Sequence, residues 1–196
     1  MSAQTIVDLF AGAGGWDLAA RDLGHDPIGI EMDADACATR ALHGMPTIRT
    51  DVAAYPAERF AGIDGLIASP PCQDWSAAGS GAQLDGEGGR LVYEVPRWVE
   101  ATRPRWVACE QVPMVLSMWR YFAHQFEALG YRCWVGILEA ERYGVPQTRE
   151  RAILIAHRDR QPQPPTPTHQ RYVSGEPAKH EPASMFHDEV LPWISM

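Results

Sequence analysis

A chain of 196 residues with 45% hydrophobic content and a formal net charge of −8 has the make-up of one globular domain with a core of its own. No stretch comes near the roughly 18 to 20 uninterrupted apolar residues of a membrane span, and the N-terminus lacks a basic targeting flank, so the expected location is cytoplasmic. The negative balance argues against a general nucleic-acid binder, because phosphate contacts need clustered positive charge; a nucleic-acid substrate would require a local basic surface or one supplied elsewhere. The 4 cysteines, Cys37, Cys72, Cys109 and Cys133, never form a close pair, so neither a zinc cluster nor a dense disulfide framework is indicated and reduced thiols are expected.

Apolar runs recur along the chain at Ile6 to Phe10, Ile28 to Ile30, Leu66 to Ala68, Trp106 to Cys109, Cys133 to Leu138 and Ala152 to Ala156. A further strand is expected just ahead of Asp51. Short runs alternating with helix-like segments predict an α/β fold, a mostly parallel sheet flanked by helices. The clearest helix spans Met114 to Leu129, where Val115, Met118, Trp119, Phe122, Phe126 and Leu129 repeat at helical spacing and Gly130 follows as a C-terminal stop. That stripe reads as core packing. A second helix is expected from Leu91 to Arg103, with Pro96 marking a kink or its true beginning. Residues 1–160 make up the expected domain. From Gln161 the composition turns proline-rich and polar, so 161–196 reads as a stiff linker or tail that ends on an apolar stretch, as though more chain or a partner followed. His169, His180 and His187 in this tail have no ligand-like spacing, and no metal site is expected.

The run Asp8-Leu9-Phe10-Ala11-Gly12-Ala13-Gly14-Gly15 follows a strand and opens a helix, so its glycines allow a tight turn and a close backbone approach to a ligand. A dinucleotide fingerprint would continue with glycine at residue 17, which is Asp17 here. A pyrophosphate cradle is therefore disfavoured, and a cofactor without phosphates, such as S-adenosylmethionine, suits the pattern. Glu31, at the end of the second strand, is positioned to accept hydrogen bonds from ribose hydroxyls, and Asp51 from an adenine amino group.

Pro70-Pro71-Cys72-Gln73 follows a buried-strand pattern, where open sheets of this class place their chemistry. The prolines stiffen the turn that displays Cys72, and a thiol supplies a reactive thiolate near neutral pH. A glycine-rich segment from Gly79 to Gly89 follows.

Four elements, Asp8 to Gly15, Pro70 to Gln73, Glu110-Gln111-Val112 and Gln147-Thr148-Arg149-Glu150-Arg151, occur in the order found in DNA (cytosine-5)-methyltransferases, and over residues 4 to 157 the chain resembles the N-terminal catalytic portion of that family. The resemblance implies a Rossmann-like methyltransferase fold, S-adenosylmethionine as cofactor and a flipped cytosine in duplex DNA as substrate. In the family the cysteine matching Cys72 attacks carbon-6 of the base, which makes carbon-5 nucleophilic. Glu110 matches the residue that assists at ring nitrogen 3, and a carboxyl at the end of a buried strand is desolvated, which favours the protonated form this step uses. Arg149 and Arg151 would hold the cytosine carbonyl oxygen and a phosphate. Gln73 and Ser76 would touch DNA, on a loop that closes over the flipped base. The cofactor contacts implied are Phe10, Ala11, Gly12, Gly14, Gly15, Trp16, Glu31, Met32, Asp51, Val52, Pro71 and Leu91. Gln111 stands where the family has asparagine, which alters the packing of that turn. The family's target-recognition region and C-terminal motifs have no counterpart in these residues. Open alternatives are a subunit of a split enzyme, with a second chain carrying the recognition region, a minimal enzyme of relaxed specificity, a non-catalytic cofactor- or DNA-binding relative, and an RNA cytosine methyltransferase.

Overall fold

The computed structural model describes residues 2–71, 87–174 and 190–194. Cys72, Gln73 and Ser76 lie outside the described residues, as do His180 and His187. The strands β1 (Thr5–Leu9), β2 (Asp26–Glu31), β3 (Thr47–Arg49), β4 (Gly65–Ala68), β5 (Trp106–Gln111), β6 (Arg132–Glu139) and β7 (Glu150–His157) form a 7-stranded sheet in the order β3-β2-β1-β4-β5-β7-β6. Pairing is parallel from β3 through to β5, whereas β7 runs antiparallel to both β5 and β6.

Burial explains why the central strands read as unbroken apolar runs. Ile6, Val7, Leu9, Leu66, Ile67 and Ala68 are covered on both faces of the sheet. Helices α1 (Gly15–Asp22) and α2 (Ala34–Leu42) lie on one face, where Ala20 packs with Ile6 and Ile67. A short helix α3 (Glu87–Arg90) precedes α4 (Glu94–Thr102) and α5 (Leu116–Ala128). On the opposite face Trp98 and Val99 of α4 and Trp119, Phe122 and Phe126 of α5 join Val7, Leu66, Val107 and Leu154 in the main core.

The aromatic stripe is therefore core, and α5 begins two residues later than its apolar period because Pro113–Val115 form a 3-10 turn. Gly130, with φ 91°, supplies the left-handed residue after its end. Pro96 is resolved in the same way. Leu91–Tyr93 form a separate 3-10 turn, α4 starts at Glu94, and the proline falls in the first turn, where helical N–H groups have no intrahelical partner.

Strand β5 alternates: Val107, Cys109 and Gln111 are buried in the core face, while Trp106, Ala108 and Glu110 are half-buried on the other. In register beside them, Ile155, Trp134 and Leu138 are also half-buried and lie outside the core clusters. This leaves an apolar strip on the α1 side of the antiparallel end of the sheet. In the tail, the N–H groups of Thr168 and His169 both donate to the Arg142 carbonyl, and Leu191 N–H donates to Thr168, so its described part lies against the turn between β6 and β7.

A candidate active site at the carboxyl edge of the sheet

The strand order reverses where β1 meets β4, and a crevice opens beyond the C-terminal ends of these strands. It is lined by Phe10, Ile30, Glu31, Met32, Thr50, Asp51, Val52, Ser69, Pro71 and Leu91 and encloses about 240 Å³, just under the roughly 300 Å³ at which small-molecule sites begin. Seven of the cofactor contacts implied by the sequence line it: Phe10, Glu31, Met32, Asp51, Val52, Pro71 and Leu91. Ile30, Thr50 and Ser69 were not foreseen, although each adjoins or lies within two residues of one that was. Ala11, Gly12, Gly14, Gly15 and Trp16 instead build the loop and the first turn of α1 at its margin. A larger hollow of about 530 Å³ between Glu141, Glu150 and Arg171 contains none of the expected cofactor or catalytic residues.

The loop after β1 needs its glycines for two different reasons. Gly12 has φ 52° with open space where a Cβ would stand, so its requirement is conformational. Gly14 has φ 97°, and a Cβ there would come within 2.3 Å of the Met45 sulfur, so close packing adds to the conformational demand. Phe10 adopts φ 58° without being glycine, a strained conformation that the surrounding turn must hold.

Glu31 closes the crevice from below. Its Oε2 accepts from Gly12 N–H at 2.8 Å, and its Oε1 accepts from the N–H groups of Met32 and Asp33, each at 2.8 Å. A carboxylate has about four acceptor sites, so these three bonds fix its orientation and leave capacity for a ligand hydroxyl. Asp51 is exposed and accepts from Ala53 N–H at 2.9 Å, which fixes the turn that follows β3. Trp16 of α1 donates its indole N–H to Ser69 Oγ, which lines the crevice, at 3.1 Å.

The second cluster lies one strand further along the same edge. Glu110, near the end of β5, pairs with Arg151 at the start of β7 through a 2.6 Å Nε to Oε1 contact, with both side chains about three-quarters buried. Because β7 is antiparallel to β5, its first residues arrive at the carboxyl edge of the parallel strands. Glu110 is thus an ion-paired carboxylate, not a lone group among apolar neighbours. Arg149 precedes β7 and its side chain is exposed.

Gln111 accounts for the departure from asparagine. Its Nε2 donates to the Pro70 carbonyl at 2.6 Å and its Oε1 accepts from Val112 N–H at 2.6 Å, in a nearly fully buried position. The longer amide ties the turn after β5 to the chain leaving β4, just before Cys72. Among the described cysteines, burial pushes the Cys133 thiol up to about 12 and the Cys109 thiol further, so neither supplies a thiolate near neutral pH.

A glycine loop after the first strand, a carboxylate ending the second, and an acid–arginine pair at the end of the fifth line the carboxyl edge of a doubly wound α/β sheet of the kind found in methyltransferases. The chain belongs to the C-5 cytosine-specific DNA methylase family, whose model matches residues 4–189. Among curated relatives it is 34% identical to the Type II methyltransferase M.FnuDI of Fusobacterium nucleatum, over 78% of this chain and 46% of that protein. It is 33% identical to M.NgoPII of Neisseria gonorrhoeae, over 78% of this chain and 48% of that protein. The chain thus spans about half the length of these relatives. With M.AquIA of Picosynechococcus it shares 28% identity, over 85% of this chain and 77% of the relative. The Schizosaccharomyces pombe Dnmt2 methyltransferase has the same fold, with a TM-score of 0.65 at 17% identity, over 82% of this chain and 50% of that one.

Proposed function

We propose that this chain binds S-adenosylmethionine in the crevice closed by Glu31 and, through Cys72, directs its methyl group to carbon-5 of a cytosine in DNA. The observation that carries this reading is the order of groups along one sheet edge. β4 lies between β1 and β5, with Ala68 in register with Leu9 on one side and Cys109 on the other. The segment Ser69-Pro70-Pro71 therefore leaves the sheet between the crevice and the Glu110–Arg151 pair, and Cys72 follows it directly.

The crevice suits the cofactor chemically. Phe10, Ile30, Val52 and Leu91 offer apolar walls for a base, Glu31 retains acceptor capacity for ribose hydroxyls, and Asp51 stands exposed where an amino group could donate to it. The loop has no lysine or arginine, in keeping with a ligand lacking phosphates. When bound, S-adenosylmethionine supplies an electrophilic methyl group.

On the substrate side, the Cys72 thiolate adds to carbon-6, and the electron pair of the 5,6 double bond becomes available at carbon-5 for the new carbon–carbon bond. Glu110, oriented by Arg151, works at ring nitrogen 3, where charge develops. Loss of the carbon-5 proton to a base then expels the thiolate and restores the double bond. Such chemistry cannot reach a stacked base, so the nucleotide leaves the duplex. Sequence-specific contacts come from the portion of the relatives that this chain does not span, within the same polypeptide or on a second one.

The test uses duplex DNA carrying 5-fluorocytosine, which blocks the final proton loss, with radiolabelled S-adenosylmethionine and transfer RNA as the competing acceptor. A denaturation-resistant adduct on DNA that Cys72→Ser eliminates is the expected result. Methyl transfer that persists without Cys72 would overturn the mechanism, and label transferred to transfer RNA with no adduct on the DNA would overturn the substrate.

A further inference from the structure

The position that breaks the dinucleotide fingerprint, Asp17, is fully buried and forms a bidentate pair with Arg40 of α2 at 2.7 and 3.0 Å. A guanidinium has five N–H donors. All of them are used here. Nη1 also donates to the Ala11 carbonyl at 3.5 Å, Nη2 to the Pro46 carbonyl at 3.3 Å, and Nε to Thr47 Oγ1 at 2.8 Å.

Space for this group is left on the face of the sheet that α1 and α2 cover. Asp8, Gly29 and Thr47 are register neighbours on β1, β2 and β3. A Cβ on Gly29 would stand 2.0 Å from Arg40 Nη2, so glycine at this β2 position is what lets the guanidinium cross to α1. Gly14 is similarly tight, its Cβ position lying 3.1 Å from Arg40 Nη1. Arg40 thus joins α1, α2, β3 and the loop after β1 from underneath.

We propose that Arg40 is a positioning residue for the cofactor: through Asp17 and the Ala11 carbonyl it holds the loop so that Gly12 N–H stays on Glu31 Oε2, leaving the remaining Glu31 acceptor site for the ribose. The proposal rests on the cofactor reading above. It explains why an acid replaces glycine at residue 17: the position serves a charged brace below the loop. Removing one partner alone would strand a buried charge, which is strongly destabilising, whereas replacing both with apolar side chains of similar volume is commonly neutral.

The experiment therefore uses the full chain with Asp17→Leu/Arg40→Met and, separately, Arg40→Lys, which keeps a charge against Asp17 but cannot serve all five acceptors. S-adenosylmethionine affinity is measured by calorimetry, melting temperature by calorimetric scan, and Gly12 amide exchange by NMR. The expected result is affinity lower by about tenfold in both variants, equivalent to about 1.4 kcal/mol, with faster Gly12 exchange and, in the double variant, a melting temperature close to that of the parent. Unchanged affinity in a folded variant would overturn the proposal. If the double variant does not fold, Arg40→Lys decides by the same two readings. Absence of binding by the parent chain would instead sink the cofactor reading, and Gly12 exchange that stays slow in the variants would sink the brace itself.

Discussion

The two ends of the sheet solve the problem of placing a polar group differently. At the parallel end, Glu31 is held by backbone N–H groups of its own turn and of the glycine loop, so its geometry is set once the chain folds. At the antiparallel end, Glu110 is held by one side chain, Arg151, reaching across from β7. Backbone donors cannot swing away. A guanidinium can, because its side chain has several rotatable bonds and is about a quarter exposed. Under the proposed function, the first arrangement suits a group that binds the cofactor, and the second one that exchanges its partner for an incoming base.

Substitutions that affect rate and binding separately would sharpen this contrast, and substitutions that affect both would break it. Glu110→Gln is expected to lower the methylation rate by roughly 10²–10³-fold, the cost of losing one preorganised group at a developing charge, with cofactor affinity unchanged in calorimetry. A parallel loss of affinity would merge the two sites. Glu31→Ala should weaken cofactor binding by roughly 10- to 100-fold, reflecting about 1.5–3 kcal/mol for a hydrogen bond to a charged group, with little change in turnover at saturating cofactor. It should also lower the melting temperature, because three backbone donors lose their acceptor.

Gln111→Leu tests the link between the ends. It leaves the Pro70 carbonyl and Val112 N–H without their partner, at a cost of about 1–3 kcal/mol in denaturant unfolding, and should slow adduct formation more than it weakens cofactor binding.

The smallest effect concerns Asp8. Among the described residues its buried oxygens meet no hydrogen-bond partner, and burial, helped by the neighbouring Asp17 charge, raises its carboxyl well above the usual carboxylate range. The folded state therefore holds a proton there that the unfolded chain has already released. This contribution is fully present below the ordinary carboxylate pKa and is lost as pH rises toward the raised value, at up to roughly 1.4 kcal/mol per pH unit. Asp8→Asn should flatten that slope and leave the variant at least as stable as the parent at neutral pH. An unchanged slope in urea titrations would assign the pH dependence to another group.

Much of this architecture could be read from residues. Strands covered on both faces, such as β1 and β4, announce themselves as continuous apolar runs, and the glycine loop, Glu31 and Glu110 all stand at strand ends that those runs define. What the pattern did not reveal depends on contacts between distant elements. That Arg151 meets Glu110 follows from the antiparallel direction of β7, which no local periodicity encodes. Asp17 was visible only as a missing glycine, since its partner Arg40 lies on another helix and looks like an ordinary surface arginine in an amphipathic stretch. Pro96 looked like an interior fault because the 3-10 turn before α4 has the same apolar spacing as the helix itself.

The apolar strip formed by Ala108, Ile155, Trp134 and Leu138 has a practical consequence for work in solution. It includes Trp134 and Leu138 of β6, an edge strand whose outer side has no neighbouring strand among the described residues. Uncovered edges and apolar surface together promote association between copies. The weight-average mass from light scattering should therefore rise with protein concentration, and the half-buried Trp134 indole provides an intrinsic fluorescence reporter, shifting to the blue as the strip becomes covered.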